Sequence, residues 1–112
     1  MFDRLVAYEI AKELENRGID SLVMTDKYWW EARDKHGYEK SPIISIGGPI
    51  VNSLSNHIAE KLKIDKYSTG IGVLEIEGQL VGYLWGVDAM GTLEAGKRFI
   101  ESKLDEFVKN LK

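Results

Sequence analysis

A chain of 112 residues, 44% hydrophobic and 29% charged, has apolar material for a core but too little length for two, so 1–112 reads as a single domain. Its net charge of −3 removes the general attraction to phosphate backbones behind nucleic-acid binding, and no apolar run approaches the roughly 20 residues that a membrane helix needs. The lack of cysteine excludes disulfides, thiolate metal sites and a cysteine nucleophile.

Phe2, Val6, Ile10 and Leu14 recur every four residues with Leu5, Ala7 and Ala11 beside them, which predicts an amphipathic helix stopping at Gly18. Met1 to Arg4 lead straight into it without the apolar segment of a secretory signal, and a cytoplasmic location is the expectation. Ile19 to Met24 is an apolar run too brief for a helix and reads as a first strand. Thr25 and Asp26 then cap a second helix that runs to about His36 and closes on Gly37. Tyr28, Trp29 and Trp30 are consecutive within it and cannot all face one core. On one reading they form a stacking platform or partner interface; on the other they straddle a helix–sheet boundary and are mostly buried.

Pro42 opens a second strand, Ile43 to Ile46, apolar apart from Ser45, as suits an interior strand covered on both faces. Gly47 and Gly48 follow, then Pro49, which fits a first helical position. A bare turn at a helix N-terminus presents free N–H donors and the positive end of the dipole to an anion. The third helix carries Ile50, Val51, Leu54, Ile58, Ala59 and Leu62 on one side and ends near Lys63. Asn52 either holds the turn by hydrogen bonds to backbone or touches a ligand.

From Gly70 the pattern changes to period two, and Gly78-Gln79 turn the chain between the strands of a hairpin that ends at Trp85. Val87 to Gly91 form a loop, Thr92 caps a last helix, and Leu93, Gly96, Ile100, Leu104, Phe107, Val108 and Leu111 keep one apolar face. This succession predicts a small three-layer α/β domain, with a four-stranded mixed sheet in the order 1-2-4-3, strand 3 antiparallel, flanked by four helices. That order sets the Gly47-Gly48-Pro49 loop beside the Asp88-to-Thr92 loop at strand C-terminal ends, where ligands of open α/β sheets sit.

The two loops together resemble the paired loops of archaeal S-layer protein modules, which carry a strand ending in Gly-Gly-Pro-x-x-Asn and a later Gly-x-Asp-Ala-x-x-Thr loop. The resemblance covers Ile43 to Leu111, with Gly47, Gly48, Pro49 and Asn52 in the first loop and Asp88 and Thr92 in the second. It implies a small soluble α/β module with a structural or assembly role and no established catalysis.

Two functions are therefore weighed. In the first, the chain is a non-enzymatic structural, self-associating or ligand-binding module whose loops stabilise each other, Asp88 accepting N–H bonds from the helix start at Gly48. In the second, the chain is a phosphate-ester or nucleotide-binding protein or enzyme whose helix N-termini at Gly48 and Thr92 converge on the anion, although neither loop carries a lysine or arginine to neutralise it. His36 and His57 lack the ligand set of a metal site, and Ser45, Ser53 and Ser55 lack a nucleophile elbow. No cofactor and no catalytic residue is assigned. The expected partners are a second copy of the chain or a small anion, with Tyr28, Trp29 and Trp30 as interface residues.

Overall fold

A computed structural model describes residues 2–36, 41–48, 52–63 and 69–111. The four-residue apolar spacing at the start of the chain forms helix α1 (Phe2–Asn16), with Val6, Ile10 and Leu14 buried. Gly18, at φ +79°, ends it as expected: its N–H reaches the Glu15 carbonyl and that of Ile19 the Leu14 carbonyl, both at 2.9 Å.

Ile19 to Met24 form no strand, and this corrects the four-stranded expectation. The run was apolar enough but shares no face: Ile19 packs into one core and Met24 into another, while Leu22 is 75% and Val23 41% exposed between them. The segment carries the chain from one layer to the next. Helix α2 (Asp26–His36) starts on Thr25, whose Oγ1 accepts the Tyr28 N–H at 3.1 Å.

Among the described residues three strands make the sheet: β1 (Ile43–Ile46), β2 (Gly70–Ile76) and β3 (Gln79–Trp85), in the order β1-β3-β2. β1 runs parallel to β3, with Ile46 beside Leu84, and β2 antiparallel to it, with Gly70 beside Trp85. The relative order and directions expected for these strands are those observed; only the missing neighbour of β1 differs. The hairpin turns on Glu77 and Gly78, at φ +50° and +83°, one residue earlier than expected. Positive angles at both positions give the turn the twist of its flanking strands.

Among the described residues five helices, not four, surround the sheet. Besides α1 and α2 these are α3 (Ser53–Leu62), α4 (Ala89–Ser102) and α5 (Leu104–Leu111). The expected last helix is interrupted at Lys103, where φ is −119°. Ser102 gives a reason, since its hydroxyl donates to the Arg98 carbonyl at 2.6 Å, a back-bond that bends helices.

Alternation along β3 separates the layers. Leu84 joins Val6, Ile10, Leu14, Phe99 and Leu104 under α1, α4 and α5; Val81 and Trp85 join Trp29, Leu54 and Ile58 under α2 and α3. The result is a three-layer α/β/α arrangement. On the α2–α3 side the Trp85 and Tyr83 rings lie across the strand on Gly70 and Gly72, where a Cβ would come within 2.8 Å of each ring. Both glycines are the seats of aromatic rings rather than points of flexibility. Among the described residues no helix is long and apolar enough to cross a membrane.

Candidate functional site

Because β1 and β3 are parallel neighbours, both leave the sheet at the same rim. The Gly47 N–H donates to the Leu84 carbonyl at 3.1 Å, and a Cβ on Gly48 would lie 3.7 Å from the Gly86 carbonyl oxygen. The two glycine loops are therefore neighbours, as the strand order required. Gly47 takes φ +112°, a conformation that disfavours a side chain. Pro49 lies outside the described residues.

Helix α3 does not begin at the Gly-Gly-Pro turn. Its N-cap is Asn52, in extended conformation, whose Oδ1 accepts the Ser55 N–H at 3.0 Å while Nδ2 donates to the Ile46 carbonyl at 2.8 Å. The Asn52 N–H also reaches the Gly48 carbonyl at 3.0 Å. One side chain thus ties the end of β1, the glycine turn and the helix start together. Asn52→Ala should lower unfolding free energy by about 2 kcal/mol, the cap and a carbonyl partner being lost together. Urea unfolding checks it, and a midpoint equal to that of the parent chain would refute the role.

The cap of α4 is Asp88, not Thr92. Asp88 Oδ1 accepts the Gly91 N–H at 2.7 Å, and its carbonyl accepts that of Thr92 at 2.9 Å. Thr92 lies buried inside the first turn, and its Oγ1 accepts the Gly86 N–H at 3.1 Å. The carboxylate at the start of α3 is likewise not Asp88 but Asp26, from α2: its Oδ2 accepts both the N–H and the hydroxyl of Ser53 at 2.7 Å. Sequence reasoning read Asp26 only as a cap for its own helix, and a pairing across 27 positions leaves no local signal.

Burial works against the ionised form of Asp26, but the Ser53 hydroxyl and N–H, together with the N–H groups of Lys27 and of Asp26 itself, outweigh it and hold its pKa below the usual aspartate range. A depressed folded-state pKa stabilises the fold above the unfolded value and ceases to do so as pH falls through the folded one. Asp26→Asn should therefore be less stable at pH 7, with the difference narrowing below about pH 4. A difference that stays constant into the acid range would contradict this.

Of the three consecutive aromatics, Trp29 is buried, Trp30 half-buried and Tyr28 exposed. Trp30 donates its Nε1–H to Ser53 Oγ at 2.9 Å and meets the rings of Trp29 and His57 edge-on, at centroid distances of 4.8 and 5.5 Å. The Arg33 guanidinium lies 5.4 Å from both indole centroids. These side chains border a cleft of about 120 Å³ between α2, α3 and the hairpin, with Ile76 and Gln79 on its other side. Most of the aromatic surface is used internally; Tyr28 alone is left largely in solvent.

Comparison with protein-family models, with curated proteins and with solved structures returned no match. Among the described residues no three His, Asp or Glu side chains come together as metal ligands. His57 is exposed and turned to Trp30, and the side chain of His36 lies outside the described residues. Ser45 and Ser55 are both buried and bonded to each other at 2.6 Å between β1 and α3. That pair satisfies both hydroxyls where the helix packs on the strand.

Proposed function

We propose that this chain is a non-enzymatic module that works by association, resembling the archaeal S-layer modules in its loop pair and in an assembly role. One observation carries the reading: the helix starts at the glycine rim are filled by the chain's own side chains. Asp26 and Asn52 take donors at α3, Asp88 takes one at α4, and Thr92 takes the Gly86 N–H between them. Carboxylates seated at both helix N-termini serve as internal anions. They leave a phosphate ester to compete with fixed negative charge.

The nucleotide-binding alternative makes the opposite prediction. A panel of nucleotides and inorganic phosphate, each with and without magnesium, would be followed by thermal unfolding beside a mass determination in solution. A ligand that binds the folded state raises the midpoint by mass action. The association reading expects midpoints unchanged across the panel and a mass that rises with concentration. A monomer stabilised by nucleotide would replace it with the alternative.

A further inference from the structure

α1 and α4 lie side by side and run in the same direction. Val6 packs on Gly96, where an added Cβ would come within 2.5 Å of a Val6 methyl, and further along Arg17 at the end of α1 pairs with Asp105 of α5 at 2.9 Å. On their outer side is a groove of about 200 Å³, floored by Val6, Leu93, Gly96 and Ile100 and walled by Glu9 and Lys97. Leu5, Tyr8, Glu9 and Lys12 are exposed and spaced i, i+3, i+4, i+7, so they share the outward face of α1. Met90, Leu93, Lys97 and Glu101 hold the matching row on α4.

The geometry points to this two-helix face as the surface on which a second copy of the chain docks, which rests on the association reading above. Charge argues for that occupant. Along α1 the outward row reads Glu9 then Lys12; along α4 it reads Lys97 then Glu101, the reverse order of signs at nearly the same height above the Val6–Gly96 contact. None of the four forms an ion pair within the chain among the described residues. A two-fold axis along the groove lays α1 of each copy over α4 of the other, since an isologous contact repeats every pair twice. Glu9 then faces Lys97 of the second copy and Lys12 faces its Glu101. Leu5 then faces Leu93 of the second copy at the apolar end, Tyr8 lies beside the Glu9–Lys97 pair, and the groove is closed from water.

Sedimentation equilibrium from about 1 µM to about 200 µM, a range that brackets a dimer of this modest face, tests the assignment. The chain should move from monomer to dimer. Glu9→Lys and Lys97→Glu should each weaken the dimer about tenfold by making two repulsive pairs, and the double reversal should bring it back to within about threefold of the parent. Leu5→Lys should leave a monomer throughout. All three positions are exposed, and unchanged far-ultraviolet dichroism would certify the fold. A dimer indifferent to these changes would overturn the surface while keeping the association reading. A parent chain monomeric over the whole range would overturn both.

Discussion

A Gly86→Ala chain is expected to lose at least about 3 kcal/mol of stability and to express largely in insoluble form, because the added methyl has nowhere to go. Its Cβ would sit 2.1 Å from the Gly91 carbonyl carbon and 2.5 Å from the Gly91 Cα, closer than real Cβ contacts occur, and both atoms are backbone. Neither side yields easily. Gly86 is held by its N–H bond to Thr92 Oγ1, and Gly91 by its N–H bond to Asp88. Relief would require α4 to lift from the end of β3 and to break the capping of its first turn. Gly91→Ala makes a useful contrast: its Cβ would meet Asp88 Oδ1 at 3.1 Å and Gly86 Cα at 3.2 Å, contacts that a small shift relieves. Soluble yield and urea midpoint separate the two variants. A well-folded Gly86→Ala chain with the parent midpoint would mean that the two glycines are not pressed together.

Phe99→Ala should be the most damaging truncation in the layer beneath α1, α4 and α5. The ring is fully buried, and its tip would lie 3.0 Å from a Cβ on Gly82, so it reaches across the layer from helix to sheet. Removing a buried phenylalanine side chain leaves a cavity and costs about 3–5 kcal/mol, a large share of the roughly 5–15 kcal/mol that holds a domain of this size. The thermal midpoint should fall by well over about 10 °C. Phe99→Leu, which retains most of the volume, should recover more than half of the loss. A fall of only a few degrees for the alanine variant would show that the layers collapse readily around the void.

These two residues also mark how far the sequence could be read. Phe99 falls between the apolar positions used to recognise the last helix; helical periodicity placed α1 closely, but the same apolar stripe runs through the break at Lys103 and merged α4 and α5 into one helix. The hairpin and the apolar strand before Gly47 were legible for the same reason: each pattern is local. Ile19 to Met24 was misread because a strand exists only if a neighbour pairs with it, and Leu22 and Val23 are spent on solvent instead. The start of α4 was placed four residues late because Asp88 and Thr92 are both capping types, and the apolar stripe begins only at Leu93. That the glycine loops would be neighbours followed from strand order. That Asp26, not Asp88, would fill the start of α3 did not, since a bond between Asp26 and Ser53 is made by the packing of two helices remote in sequence.

The three tryptophans of the chain, Trp29, Trp30 and Trp85, all lie on the α2–α3 side of the sheet, whereas the core beneath α1, α4 and α5 contains none. Intrinsic indole emission is therefore a one-sided reporter: it follows loosening around α2 and α3 and is blind to the opposite helices, whose melting is carried by far-ultraviolet dichroism. Coincident curves from the two signals would mark a single cooperative unit, and a red-shifted emission ahead of the dichroic change would identify the tryptophan-bearing layer as the first to admit water.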